Sequence, residues 1–102
     1  MPAVIKKDGR REPYQQDKIM TGVTKACQKR PITTEQIEKL VAEIEQKILA
    51  LNSKEVPSRT IGTWVMGALH QLDKVAYVRF ASVYREFRDV EEFVSDLLIT
   101  PP

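Results

Sequence analysis

Residues 4–14 read VIKKDGRREPY, and the centre of this stretch decides how the chain begins to fold. Asp8-Gly9 is a strong two-residue turn signal, because a type I′ turn needs positive φ at both central positions. Two β-branched residues precede the turn, and Pro13 fits only the end or the edge of a strand. The stretch therefore predicts a β-hairpin whose tight turn carries four basic side chains: Lys6, Lys7, Arg10 and Arg11.

The composition limits the kind of protein to which this hairpin can belong. With 102 residues, of which 42% are hydrophobic and 29% charged, the chain predicts one folded, soluble domain. No stretch is apolar enough to span a membrane and none resembles a signal peptide, so a cytoplasmic setting without a membrane partner is expected. The single cysteine, Cys27, excludes an internal disulfide and a multi-cysteine zinc site, and it is expected in the core.

The charge of the chain is unevenly distributed. The net charge is only +2, but residues 1–30 hold eight Lys and Arg against three acids, whereas residues 31–102 hold eight against eleven. The basic N-terminal part could face a polyanion, while the acidic remainder argues against a general nucleic-acid coat.

The rest of the chain predicts helices separated by short breaks. Thr33 and Gln36 have the spacing of a capping box, and an apolar stripe at helical spacing follows them. Ser58 is predicted to cap a later helix and Asp89 a short final one. Residues 54–56 could add a third strand beside the hairpin. Helices are expected over about residues 16–28, 33–51, 58–72 and 74–88, with the short final helix after them.

These elements predict an α+β fold that is predominantly α, in which a small N-terminal β-hairpin, two- or three-stranded, caps a bundle of four to five helices. A two-stranded hairpin is marginally stable alone, so it must pack on the helices, and its basic residues then lie over one end of the bundle. Within the third helix, crowding by a neighbouring helix is the favoured reason for Gly62 and Gly67, with close approach of a ligand as the alternative. His70, the only histidine, is expected to be exposed.

The basic hairpin has two interpretations. Lys6 and Lys7 are adjacent on one strand and point to opposite faces, so only one of them can easily face the bundle. Lys18 lies near the start of the first predicted helix, where free backbone N–H groups and the helix dipole also favour an anion. Together these lysines could hold a triphosphate. The alternative is a solvated edge strand, since lysine commonly protects such edges, and the residues alone favour this alternative slightly.

Two further side chains also have alternative roles. Glu12 could accept hydrogen bonds from a ribose or an adenine amine, or it could form a surface ion pair with Arg10 or Lys7, which is the simpler reading. Arg79 in the fourth helix could stack on a neighbouring aromatic ring, reach a phosphate, or extend along the helix surface.

No arrangement of residues for catalysis stands out. The chain lacks the GxxxxGK[ST] pattern of a P-loop, and no pair of acids, Ser/His/Asp set or Cys/His set has a persuasive spacing. The residues therefore predict a protein that is not an enzyme and has no metal site.

Three stretches carry a resemblance to a known family. VIKKDGRREPYQQDKI (residues 4–19) resembles the opening of an ATP-cone, the regulatory nucleotide-binding module at the N-terminus of many ribonucleotide reductases. CQKRPITTEQIE (27–38) and EVPSRTIGTWVMGALHQLDKVAYVRFASVYREFRDVEEF (55–93) resemble the ATP-cone half of the NrdR repressors, which control ribonucleotide reductase genes. The resemblance covers about residues 4–97, and the VAYVRFASVYR run is highly specific.

The resemblance implies an ATP-cone over residues 1–98 with a tail at 99–102. It implies ATP and dATP as ligands, with Mg²⁺ as an optional companion. Val4 would pack near the base, Glu12 would touch the sugar or base, and the three lysines would hold phosphates. The nucleotide-binding residues that it implies are Val4, Lys6, Lys7, Glu12, Lys18, Ser58 and Gly62, with Arg79 and Tyr84 as further contacts.

This sequence departs from the family pattern in two places. The repressors begin with a zinc ribbon of two paired-cysteine motifs, which reads the operator DNA. This chain has no CxxC, so it is expected to be either a fragment or a free-standing cone, and to reach operator DNA only through such a ribbon. Gln15 stands where the family often carries Asp or Asn, which puts a ribose-contacting or capping role at this position in doubt.

The expected function is that of a nucleotide-sensing domain of a transcriptional repressor of ribonucleotide reductase genes, acting through nucleotide-dependent homo-oligomerisation. The alternatives are the allosteric ATP-cone of a ribonucleotide reductase, a small nucleic-acid-binding module that uses the basic hairpin, and a helical adaptor without a ligand. Contact area for self-association is expected on the last two helices, at Tyr77, Phe80 and Phe93.

Overall fold

The computed structural model of the chain describes residues 1–84, which form a small sheet and four helices. The predicted α+β class is confirmed. The predicted final helix after Asp89 and the boundary between residues 98 and 99 lie outside the described residues. The elements are β1 (Ala3–Ile5), β2 (Arg11–Glu12), α1 (Gln16–Ala26), α2 (Thr34–Ala50), β3 (Glu55–Pro57), α3 (Ser58–Leu72) and α4 (Lys74–Tyr84).

The hairpin turn is wider than the Asp-Gly signal predicts. The Lys6 N–H donates to the Arg10 carbonyl at 2.8 Å and the Gly9 N–H donates to the Lys6 carbonyl at 2.9 Å, which defines a three-residue loop. In this loop only Gly9 has a positive φ, at 90°, so the two-residue type I′ prediction is wrong. The Asp8 carboxylate accepts the Arg10 N–H at 3.1 Å and thereby stabilises the wider loop, as short acidic side chains often do in turns.

The third strand that the sequence allows is confirmed. β1 lies in the centre of the sheet, antiparallel to β2 and parallel to β3. Val4 is paired with Glu12 on one side and with Val56 on the other. Val56 of β3 is fully buried and Val4 of β1 nearly so, which attaches the sheet to the helices through these two neighbouring strands.

The core lies between the helices and the inner face of this sheet. Its fully buried side chains come from each of the four helices and from β3, as the predicted apolar stripes require. Cys27 is buried among them, as predicted. Within residues 1–84, no helix combines the length and the apolar character needed to cross a membrane. The largest fully buried side chains are Val23, Val41, Ile44, Ile48, Val56, Val65 and Leu69.

The helix starts differ in how well the sequence predicts them. The capping box ahead of α2 is confirmed, because the Gln36 N–H donates to Thr33 Oγ1 at 3.1 Å and the Thr33 N–H donates to Gln36 Oε1 at 2.8 Å. The cap predicted at Ser58 is wrong by one residue, since Pro57 takes the cap position with extended backbone and Ser58 begins the helix. Asp73, at which no cap is predicted from the sequence, accepts the Ala76 N–H at 2.9 Å and so caps α4.

Two charged contacts hold α4 to the segment after α1. Arg30 Nε donates to the Asp73 carboxylate at 3.0 Å and 3.2 Å. The Arg79 guanidinium donates to the carbonyls of Ala26 at 3.3 Å and Gln28 at 2.6 Å. These carbonyls lie at the end of α1, where helical carbonyl groups lack partners of their own, so Arg79 acts as a cap there.

Three expectations about α3 and α4 need correction. His70 is half-buried rather than exposed, and its ring meets Tyr77 edge-on with 4.8 Å between centroids. Tyr77 is only 5% exposed and therefore offers no contact surface. At Gly67 an added Cβ would meet nothing within 4 Å, so crowding does not explain this glycine.

Candidate nucleotide-binding site

A cavity of about 230 Å³ lies where the hairpin meets the starts of α1 and α3. Its buried residues are uncharged, and the charged side chains in its wall are half-buried or exposed. The cavity therefore has an apolar interior and a charged mouth. It is lined by Val4, Lys6, Glu12, Pro13, Tyr14, Gln15, Lys18, Ile19, Ser58, Ile61, Gly62, Val65 and Phe80.

The pleat of the hairpin explains which of its residues face this cavity. Val4 and Glu12 are directly paired across β1 and β2, so their side chains lie on the same face. Lys6 is two residues beyond Val4 and continues this face, whereas Lys7 does not. Of the two lysines that the sequence left open, Lys6 is therefore the one in the cavity wall.

The mouth of the cavity holds one acid between two lysines. Glu12 Oε2 lies 3.6 Å from Lys6 Nζ and 3.6 Å from Lys18 Nζ. The ion pairs of Glu12 thus involve neither Arg10 nor Lys7, the partners that the sequence suggested. Lys18 is the third residue of α1, so its ammonium group lies beside the positive end of a helix dipole.

The apolar part of the wall comes from the helices. Ile61 and Val65 are one turn apart on α3, and both are buried. Phe80 reaches the cavity from α4, next to Gly22 of α1, where an added Cβ would lie 3.4 Å from its ring. Gly62 is buried in the wall, a position where either crowding by a neighbouring helix or close approach of a ligand would favour glycine.

Tyr14 closes the side of the cavity towards α2. It is half-buried, and burial together with the nearby Glu45 carboxylate raises the pKa of its phenol. Glu45 also accepts two hydrogen bonds from the Gln16 side chain, at 3.0 Å and 3.1 Å. A phenol is protonated at neutral pH in any case, so Tyr14 is able to donate a hydrogen bond there, and the raised pKa extends this to higher pH.

The structure brings together most of the site residues implied by the sequence, but not all. Val4, Lys6, Glu12, Lys18, Ser58 and Gly62 all line the one cavity. Lys7 is exposed in the turn, Arg79 is bonded to the end of α1, and neither is in the cavity wall. The backbone of Tyr84 ends α4, and a nucleotide contact of its side chain stays a prediction.

Sequence reasoning missed the apolar wall. Helical periodicity does not separate Ile19, Ile61 and Val65 from core residues, because a side chain that faces a cavity shows the same periodicity as one that faces a core. Phe80 was noted only as a stacking partner or a contact surface. Gly22, which gives Phe80 its room beside α1, was the one local signal available.

The two hairpin arginines form ion pairs within the fold. Arg10 Nε lies 2.7 Å from Asp8 Oδ2, and Arg11 lies 3.2 Å from Glu55 Oε1. These pairs neutralise part of the basic surface and so weaken the case for direct nucleic-acid binding by the hairpin. No group of three or more potential metal-binding His, Cys, Asp or Glu residues occurs in the part of the chain that the structure describes.

A second, larger cavity of about 540 Å³ lies between α2 and α3. Lys47 Nζ is 5.9 Å from the centroid of the Trp64 ring in its wall, and the exposed Gly67 also borders it. Its wall contains the cations Lys39 and Lys47 with Glu43, but no hairpin residue and none of the residues predicted to bind nucleotide.

Comparison with known proteins assigns this fold. The chain has a small sheet over a helical bundle, and the model of the ATP cone domain matches its residues 2–90. The chain therefore belongs to the ATP-cone family.

Three of its curated relatives carry the name Transcriptional repressor NrdR. The relative from Geobacter sulfurreducens is 58% identical and that from Geotalea uraniireducens 55% identical, each over 97 residues, which are 95% of this chain and 65% of the relative. The relative from Myxococcus xanthus is 53% identical over 96 residues, 94% of this chain and 57% of its own length. The chain thus spans about 65% or less of the length of these relatives.

Proposed function

We propose that this chain is the nucleotide-sensing part of a transcriptional repressor of ribonucleotide reductase genes, and that it binds ATP and dATP in the hairpin cavity without hydrolysing them. The observation that carries the proposal is the cavity itself. An apolar interior beside two lysines from separate elements suits a ligand with an aromatic base at one end and a polyphosphate at the other.

The size of the cavity suggests how the ligand lies. Typical small-molecule sites have about 300–1,000 Å³, so a cavity of about 230 Å³ holds only part of a nucleotide. In this proposal the base enters among Val4, Ile61 and Phe80, beside Gly62. The phosphates stay at the mouth with the exposed ammonium groups.

The polar residues then take separate roles. Lys6 and Lys18 hold phosphate oxygens, and Glu12 contacts the sugar. Ser58 lies in the wall at the start of α3, where backbone N–H groups favour a polar ligand atom. Lys7 contributes from the turn, outside the cavity wall, and only where the triphosphate extends towards it.

Regulation rather than catalysis is the favoured outcome of binding. The relatives are named as repressors, which are regulators. Phosphoryl transfer needs metal ions held at the phosphates and a group that orients the nucleophile. Residues 1–84 hold no group of three potential metal ligands, so Mg²⁺ would arrive with the triphosphate.

The signal from the bound nucleotide passes to self-association in this proposal, and operator DNA is contacted through other parts of a longer repressor. A regulator of transcription acts beside the genomic DNA, which fits the cytoplasmic setting expected from the sequence. The relatives support this reading because the names of all those compared are those of transcriptional repressors.

Calorimetric titration of the chain with ATP and dATP tests the proposal, with a parallel assay for phosphate release. We expect saturable binding of both nucleotides at one main site and no phosphate release above a buffer control. Failure of both nucleotides to bind, or steady hydrolysis, would contradict it. Sequence-selective binding of DNA by this chain alone would favour the nucleic-acid alternative, which should weaken steeply with added salt.

A further inference from the structure

The same carboxylate oxygen of Glu12 forms an ion pair with both lysines of the cavity mouth. Oε2 lies 3.6 Å from Lys6 Nζ, which comes from the hairpin, and 3.6 Å from Lys18 Nζ, which comes from α1. A position between two ammonium groups from separate elements is where a phosphate oxygen would also bind most strongly. Glu12 therefore occupies the place that the phosphate needs.

The ion pairs between Glu12 and these lysines are weak. Charge-assisted hydrogen bonds have lengths of about 2.7–2.9 Å, so contacts at 3.6 Å are ion pairs without a good hydrogen bond. The Lys18 side chain is 60% exposed and that of Lys6 34% exposed, so solvent screens both pairs. Ion pairs of this kind contribute little stability and can be replaced by a stronger anion.

We infer that Glu12 is a built-in competitor for the phosphate site, which holds Lys6 and Lys18 when no ligand is bound and must be displaced by an entering polyphosphate. The inference rests on the proposed function. It adds that the Glu12 ion pairs limit the affinity of the site for a polyphosphate. A bound polyphosphate and the Glu12 carboxylate would repel each other at this distance, so they cannot share the two lysines favourably. The displaced carboxylate stays on β2 opposite Val4, within the cavity wall, where sugar hydroxyls can reach it.

If Glu12 instead positioned the lysines, its replacement would have the opposite effect on polyphosphate binding. If Glu12 positioned the two lysines for the phosphate, removing its charge would weaken polyphosphate binding. If it competes, removing its charge strengthens that binding. Inorganic tripolyphosphate is the suitable probe, because it has no sugar or base through which Glu12 could act in another way.

The experiment titrates sodium tripolyphosphate into the full chain and into Glu12→Gln by calorimetry, in low-salt buffer to limit screening. Glu55→Gln is the matched control. It removes the same charge from an ion pair on the same sheet, that with Arg11 at 3.2 Å, but from outside the cavity wall. We expect Glu12→Gln to bind tripolyphosphate about fivefold more tightly, the scale of an exposed ion pair, and Glu55→Gln to change it less than twofold.

Weaker or unchanged binding in Glu12→Gln, or an equal gain in both variants, would overturn the inference. A second readout needs no variant: the ¹³C carboxyl signal of Glu12 in the wild-type chain should shift on saturation with tripolyphosphate, and an unshifted signal would contradict displacement. ATP titration of the wild type separates the two proposals. If ATP binds but the expected tripolyphosphate results are not obtained, only the inference about Glu12 is wrong. If neither ATP nor tripolyphosphate binds to any of the proteins, the proposed function is wrong as well.

Discussion

Lys18 is the cation whose removal tests the phosphate end of the site most simply. It is 60% exposed, so its replacement should leave the fold intact. We expect Lys18→Ala to weaken ATP binding by about 1.5 kcal/mol, the lower end of the range for hydrogen bonds to charged groups, because solvent screens it. Lys25→Ala is the control, since Lys25 is in the last turn of the same helix and outside the cavity wall. If calorimetry showed an equal loss of ATP affinity in the two variants, the effect would come from the overall charge of the helix and not from a contact of Lys18 with phosphate.

Glu12 should also carry any discrimination between ATP and dATP, which differ only in the 2′-hydroxyl group. Displacement of its carboxylate from the lysines affects both nucleotides equally, so it cancels in the ratio of their dissociation constants. We expect Glu12→Gln to move that ratio towards one and Glu55→Gln to leave it unchanged, as measured by paired titrations. A ratio that is the same in all three proteins would remove Glu12 from the sugar site.

For single residues, the sequence predicts the type of side chain in the site better than the direction in which that side chain points. The alternation of a strand shows that Lys6 and Lys7 face opposite ways, but the choice between them depends on how the hairpin packs on the helices. That packing places Val4 in the core, and Lys6 follows on the same face. The Glu12 pairs could not be predicted, because Lys18 comes from another element.

Among the elements, the junction of α3 and α4 gives a prediction for the dependence of stability on pH. The Ala76 N–H and then the Arg30 guanidinium hold the pKa of the Asp73 carboxyl below its ordinary value, against the effect of burial. A carboxyl whose pKa is lower in the folded state stabilises the fold above its unfolded pKa of about 3.9, and this contribution is lost as the pH falls through the folded value.

Asp73→Ala should therefore lower the free energy of unfolding by about 1–2 kcal/mol at pH 7, through loss of the α4 cap and of the Arg30 ion pair. The difference from the wild type should shrink below about pH 4, as urea unfolding at pH 7 and pH 3 can measure. Asp17→Ala is the control, because it removes an acid from the first turn of α1. A difference as large at pH 3 as at pH 7 would contradict the account.

Local signals explain which elements the sequence predicts correctly. The two residues of the capping box, Thr33 and Gln36, are only three positions apart, so the local sequence predicts it. The contact between Arg30 and Asp73 joins residues 43 positions apart, and no local pattern reveals it. The same holds for Arg79, whose partners at the end of α1 lie more than 50 positions away. For Arg79 the phosphate contact implied by the family stays a prediction.

For the whole molecule, we expect the binding of a nucleotide to alter self-association. A triphosphate neutralises part of the excess positive charge of residues 1–30 and connects the hairpin to α1, which alters the surface offered to a second copy. A ligand shifts assembly only through unequal affinity for the two states. Light scattering of the free, ATP-loaded and dATP-loaded chain should give at least two different masses, with tripolyphosphate at matched ionic strength as the control.

One unchanged mass under saturating conditions would mean that this chain does not signal through assembly. Of the aromatic residues predicted to provide contact area, Tyr77 is buried, Phe80 is half-buried and borders the cavity, and Phe93 lies outside the described residues. Among the described side chains of α4, the exposed large apolar ones are Val75, at 39%, and Val83, at 86%. Helical periodicity could not distinguish these faces, since apolar residues occur around most of α4.

Amide chemical-shift mapping of the full chain with and without ATP shows where the nucleotide binds, and so tests the proposed site in the hairpin cavity. We expect the largest changes in the hairpin, at the start of α1 and at the start of α3, around Val4, Lys18 and Gly62. The indole N–H signal of Trp64, which lies in the separate cavity between α2 and α3, should stay nearly constant. Changes centred on Trp64 and Lys47, with the hairpin unaffected, would contradict the proposed site.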